Sequence, residues 1–153
     1  MSAYIDGLKM LGRRELSEHQ VRQRLARKEY EPDEIDQAIA RLREERAIND
    51  QRVAEAIART ETGIRKRGKV RVRMQLERAG ISKETARQAI DSVFESVDDD
   101  ALLESSLGKR LRGRETIADD REFARLFRYL IGQGFESDRV MQALRARRKR
   151  STG

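Results

Sequence analysis

Three stretches of this chain repeat one another, and that periodicity narrows the possible folds more than any other feature. Leu25, Tyr30, Ile35 and Ile39 recur as Leu76, Ile81, Ala86 and Ile90 at a constant offset of 51 residues. The second set recurs as Leu130, Phe135, Val140 and Leu144 at an offset of 54. The surrounding text agrees: RLARKEYEPDEIDQAI, QLERAGISKETARQAI and YLIGQGFESDRVMQAL share one layout. In each, a helix closes on Leu, a short turn carries an apolar residue, and a capped helix follows with its own apolar stripe. A further apolar helix precedes each copy, marked by Tyr4, Leu8 and Leu11, by Val53 and Ile57, and by Leu103, Leu107 and Leu111. A period in this range is the signature of tandem supersecondary units that bury their apolar faces on one another.

The units are helical. The sequence has one proline, and its apolar residues return at intervals of three and four, the spacing that places them on one helix face. KVRVRM alternates for a few residues only, and the pattern then runs on through Val72, Leu76 and Ala79 as a helix stripe. Ser17 with Gln20 forms a capping box, and Asp119 with Glu122 an acidic version of one. Asn49 or Asp50, Ser82 and Ser137 stand at N-cap positions, Pro32 in a first turn, and Gly68, Gly80 and Gly134 at helix ends. The expected fold is all-α, with nine helices near 3–13, 17–28, 32–46, 50–65, 69–79, 82–95, 99–112, 119–132 and 137–149. These group into three three-helix repeats, 1–48, 49–97 and 98–150, followed by a tail at 151–153. Such an array is expected to be elongated and curved.

Charged residues make up 40% of the chain and apolar ones 37%, so each helix must be amphipathic and a wholly buried parallel sheet is excluded. The net charge of +7 favours an anionic partner. Cysteine is absent, which rules out disulfides and thiol chemistry. The opening MSAYIDGLKM lacks a signal peptide's apolar run, and no segment has the length of apolar sequence a membrane helix needs. These features predict a cytoplasmic protein with no membrane association, acting as a monomer. Nothing points to an enzyme or to a cofactor. His19 is the only histidine and reads as a solvent-facing helix residue without the companions a zinc site requires. Glu44 and Glu45 are adjacent on a helix and point apart. GIRKRGK follows no strand and lacks the GK[ST] ending of a phosphate loop.

The positive charge is concentrated in three places. RKRGKVRVR, from Arg65 to Arg73, has six cations and no acid. With Val72 and Leu76 facing the core, Arg71, Gln75 and Arg78 share an outer face. The candidate contacts here are Arg65, Lys66, Arg67, Lys69, Arg71, Arg73 and Arg78. KRLRGR leaves Lys109, Arg110, Arg112 and Arg114 outward of a core face made by Leu107 and Leu111. The third cluster, RARRKR, contributes Arg145, Arg147 and Arg148 near the C-terminus. Cations of this kind bind phosphates with release of counterions, and arginine also forks onto carboxylates. They also suit helix C-termini and solvated faces with no partner at all. The acids Glu31, Asp33, Glu34 and Asp36, and Asp98 to Asp100, crowd helix N-termini, where they are favoured. Phe123 and Phe127 read as core residues with Leu130, and no aromatic-basic interleaving of the kind that stacks single strands is seen.

The ordered set of motifs resembles the RecX family, regulators of the bacterial recombinase RecA. LKMLGRRELSEHQVRQRLARKEYEPDEIDQAIARLREE is similar to the family's opening repeat. INDQRVAEAIARTETGIRKRGKVRVRMQLERAGI carries the family's most recognisable order: an Asn-Asp start, an Arg-Val-Ala-Glu helix, a Gly-bearing basic linker and a Leu…Gly-Ile ending. DREFARLFRYLIGQGFESDRVMQAL resembles the final repeat. Glu29 stands where the family usually has Gly, the linker from Glu45 to Ile48 lacks its usual Gly, and GQGF replaces an Arg-rich turn; these departures bear on turn geometry. The resemblance implies a non-enzymatic protein that binds the RecA filament on single-stranded DNA, along its groove, and suppresses ATP turnover and strand exchange. Single-stranded DNA, and duplex DNA after it, are then expected partners. The alternative is an independent helical-repeat DNA-binding protein.

Overall fold

The computed structural model describes residues 2–148; the 151–153 tail, with Lys149 and Arg150, lies outside the described residues. Those residues form nine α-helices in the order α1 (Ala3–Arg13), α2 (Glu18–Arg27), α3 (Pro32–Glu44), α4 (Asp50–Arg59), α5 (Lys69–Arg78), α6 (Lys83–Phe94), α7 (Asp99–Leu111), α8 (Asp120–Gly132) and α9 (Ser137–Ala146). No named strand occurs among them; one isolated bridge joins Ile117 and Arg148. The all-α reading holds. One helix differs from expectation. The fourth does not stay α-helical to residue 65 but widens after Arg59 into a π-helical turn, Thr60–Ile64. Thr62 donates its hydroxyl hydrogen to the Ala58 carbonyl at 2.9 Å, placing a side-chain donor in the backbone ladder where the turn expands.

Helix starts follow the local chemistry. Ser17 accepts from the Gln20 amide while the Gln20 side chain accepts from the Ser17 amide, completing the capping box. Asp119 accepts from the Glu122 amide at 2.8 Å, Asp98 caps α7, and Asn49 and Ser82 accept from Arg52 and Thr85. Pro32 occupies the first turn of α3. Ser137 is not a cap: it is the first helical residue of α9, and Glu136 precedes it without a side-chain cap bond.

Helices α2, α5 and α8 end in one geometry. Amides of Tyr30, Ile81 and Phe135 donate to the carbonyls of Leu25, Leu76 and Leu130 at 3.4, 3.1 and 3.3 Å. The residue before each donor is left-handed: Glu29 at φ 67°, Gly80 at 75° and Gly134 at 97°. This six-to-one closure satisfies an otherwise unpaired helix carbonyl. Arg46, in the glycine-free linker, also turns left-handed at φ 59°.

The chain gathers into two compact units. One comprises the chain up to Ile57 together with Gln75–Ala89; the other comprises Ala58–Met74 together with the chain from Ile90 on. In the first, Leu16, Val21, Leu25, Ile35, Ile39 and Leu42 form the centre of the core, with Tyr4, Leu8 and Leu11 packed against it. Asp6 is buried there; it accepts from the Tyr30 hydroxyl and lies 3.8 Å from Lys28. The Tyr30 hydrogen bond, then Lys28, hold its carboxyl below the usual range, and the same bond raises Tyr30 to about 12. The buried Ser17 hydroxyl also donates to the Ala79 carbonyl at 2.5 Å. His19 is exposed but covers Gly80, where an added Cβ would come within 2.3 Å of it. In the second unit the core is Leu103, Leu107, Leu111, Leu126, Leu130, Phe135, Val140 and Leu144, with Phe123, Phe127 and Tyr129 packed on it. Each fully buried leucine contributes about 1.5–3 kcal/mol by leaving water.

Candidate interaction surface

The basic stretch begins at the π-turn. Glu61, four residues upstream of Arg65, is buried and accepts from Arg65 and Arg67, both at 3.2 Å. The Arg67 amide also donates to the Glu61 carbonyl at 2.9 Å, with Lys66 left-handed at φ 56° between them. Two of the six cations in the stretch are thus tied to an acid, a pairing that the i, i+4 spacing of Glu61 and Arg65 already contained.

The stretch is then fixed from a distance. The Gly68 amide donates to the Gln133 carbonyl and the Val70 amide to the Gly134 carbonyl, both at 3.0 Å. A Cβ on Gly68 would stand 2.5 Å from the Gly134 carbonyl oxygen and 2.7 Å from the Phe135 ring. Gly68 therefore serves close backbone approach at the start of α5 rather than a left-handed turn. Arg71 packs on Gly134, where a Cβ would meet its own Cβ at 2.2 Å, and its Nε is buried without a hydrogen-bond partner among the described residues. Lys69 is half-buried, 5.2 Å from the centre of the Phe94 ring. It lies beside Asp99, whose carboxyl is raised by burial against the opposing pull of Lys69. Val72 and Leu76 are fully buried, as expected. Lys66, Arg73 and Arg78 are exposed.

The second cluster converges in space. Lys109, Arg110, Arg112 and Arg114 line one hollow of about 490 Å³ with Ser106 and Tyr129. The Arg110 guanidinium lies 3.6 Å over the Tyr129 ring, a cation–π contact. Arg112 ends α7 in the left-handed region at φ 52°. Arg114 forks onto Glu122 at 3.0 and 2.8 Å. That bond, with the Ala118 amide, brings the Glu122 carboxyl down to about 2. The sequence reading had all four cations here, but not Tyr129, Ser106 or the Glu122 clamp. Aromatic and basic groups also meet through folding, at Tyr129 with Arg110 and at Phe123 with Arg148, 5.1 Å away.

In the third cluster Arg145 is exposed. Arg147 pairs with Glu104 at 3.1 Å and Arg148 with Asp120 at 2.7 Å. The Ile117 amide donates to the Arg147 carbonyl at 2.8 Å, so the chain here is fastened to α7 and the segment before α8. Lys66, Arg73, Lys109 and Arg112 have no ion-pair partner among the described residues. No described group of three or more His, Cys, Asp or Glu is placed to hold a metal ion. No described helix is long and apolar enough to cross a membrane.

Residues 3–42 match the model for the first three-helix domain of RecX, and residues 49–90 the model for its second. The chain belongs to the RecX family. The family is one of regulatory proteins and is not enzymatic. Regulatory protein RecX of Syntrophotalea carbinolica is 32% identical over 141 residues, covering 92% of both chains. That of Chromohalobacter salexigens is also 32% identical, covering 91% of this chain and 88% of its own. The crystal structure of RecX from Lactobacillus salivarius superposes with a TM-score of 0.75 at 23% identity, over 94% of each chain. A second RecX crystal structure gives 0.76 at 20% identity, over 94% of this chain and 70% of the other. These two establish the shared fold.

Proposed function

We propose that this RecX-family chain regulates RecA by binding its filament on single-stranded DNA, seated in the filament groove, and lowers ATP turnover and strand exchange. The observation that carries the reading is the set of unpaired cations, Lys66 and Arg73 in one cluster and Lys109 and Arg112 in another. They stand among arginines whose charge is already met by Glu61 and Glu122. Unpaired exposed cations retain their charge for an incoming phosphate or carboxylate. The protein acts as a monomer built of three repeats, with DNA contacts subordinate to contacts with RecA.

The test is ATP hydrolysis by the cognate RecA on single-stranded DNA, titrated with this protein well below the RecA concentration at two salt levels. Turnover falls at substoichiometric protein. The double variants K66A/R73A and K109A/R112A weaken that fall while helicity is retained. An ATPase rate indifferent to the protein, with salt-sensitive binding to bare DNA alone, would instead assign the independent DNA-binding function.

A further inference from the structure

Ile64 is 78% exposed, far more than any other large apolar side chain described; Ile5 follows at 41% and Met74 at 40%. Its setting is neither loose nor apolar. It is the last residue of the π-turn, whose Glu61 and Thr62 are buried. The next amide, of Arg65, donates back to the Thr60 carbonyl at 3.2 Å. Arg65 and Arg67 bind Glu61, three residues before it, and the exposed Lys66 stands two residues on. An aliphatic side chain is thus held out on an ordered turn at the edge of the basic stretch that begins at Arg65. Exposing it costs the favourable transfer it would gain by burial, and π-turns are frequent at functional positions.

We propose that Ile64 is an apolar anchor that inserts into a hydrophobic hole rimmed by carboxylates on a protein partner. On the function proposed above, on which this inference rests, that partner is a subunit of the RecA filament. Charge complementarity sets the rim: the exposed Lys66, without an ion-pair partner among the described residues, follows the anchor two residues on and favours an acid opposite it. The anchor's chemistry selects protein over nucleic acid. An isoleucine has no ring to stack on a base, and it enters a nucleic acid only as a wedge that parts stacked bases. A preformed apolar hole receives it without that cost, as buried anchors do at the centres of protein interfaces. Glu61 points the same way, since it spends two of the stretch's cations on the turn itself instead of on phosphates.

The experiment uses the full chain and its variants Ile64→Ser and Ile64→Val, each checked for unchanged helicity and Tm. Each is titrated against RecA assembled on a labelled oligonucleotide with a non-hydrolysable ATP analogue, and against the bare oligonucleotide, at two salt concentrations. Ile64→Ser weakens filament binding roughly 10- to 100-fold and Ile64→Val about fourfold, in proportion to the apolar surface removed. The ratio is the same at both salts, because screening acts on charges and not on apolar burial. Affinity for the bare oligonucleotide does not change. Filament binding by Ile64→Ser equal to that of the parent overturns the anchor and leaves the filament reading intact. An equal loss on the bare oligonucleotide overturns it in favour of a nucleic-acid wedge. A parent protein that does not bind the filament overturns the reading and the anchor with it.

Discussion

Replacing Glu29 with glycine should make the protein more stable. Glu29, Gly80 and Gly134 occupy the same position of the same turn, at φ 67°, 75° and 97°, closed by equivalent bonds to Leu25, Leu76 and Leu130. Only at Glu29 does a side chain sit in the left-handed region, at about 1–2 kcal/mol for an L-residue. Glu29 is exposed, and no hydrogen bond or ion pair from the described residues holds its side chain, so no such contact is lost. Glycine removes the strain but widens the unfolded ensemble, a cost of about 0.4–1 kcal/mol. The balance is a gain of about 0.5–1 kcal/mol, or about 1–4 °C in Tm for a chain of this size. Urea midpoints and thermal melts of Glu29→Gly measure it, with Arg46→Gly expected to act in the same direction. The opposite exchange, Gly134→Ala, should cost about 2 kcal/mol or more, because strain is joined by a clash with Arg71. A lower urea midpoint for Glu29→Gly at unchanged m-value would refute the reasoning, since the turn would then not be strained.

Ser17→Ala loses both the cap of α2 and the bond to the Ala79 carbonyl, and should lower stability by about 1–2 kcal/mol in urea titration. Glu61→Ala leaves Arg67, partly buried, without its acid; a loss of about 1.5–3 kcal/mol is expected, together with faster amide hydrogen exchange across Thr60–Ile64. Glu122 has a folded pKa of about 2, lowered from the ordinary carboxylate value. Its contribution is therefore fully present above about pH 4.5 and fades as the pH falls toward 2. Glu122→Gln should be less stable at neutral pH and flatter across that acid window in denaturation followed against pH.

The parts of the fold that were readable in the sequence are those written locally. Helix faces follow from the spacing of Leu, Ile and Val, and Ser17 with Gln20 or Asp119 with Glu122 announce helix starts within four residues. The missed cap at Ser137 shows the limit of that logic: a serine at a helix start is as easily the first helical residue. The π-turn escaped because its cause is a Thr62 hydroxyl entering the ladder, which no periodicity records. Cation clusters were legible as clusters. Which cations are free was not, because Glu122 reaches Arg114 and Glu104 reaches Arg147 only through the folded chain. Tyr129 joined the second cluster for the same reason. Gly68 was seen as punctuation, whereas its role is to let one backbone lie against Gln133 and Gly134.

That contact has a consequence for how the molecule comes into being. The basic stretch borrows its conformation from a turn near the far end of the chain, through the amides of Gly68 and Val70. During synthesis the segment emerges early, yet it has nothing to close against until the chain past Phe135 has been made. Until then its cations stand on an unfinished scaffold. A protein shortened before that turn would keep the residues of the interaction surface and lose their arrangement.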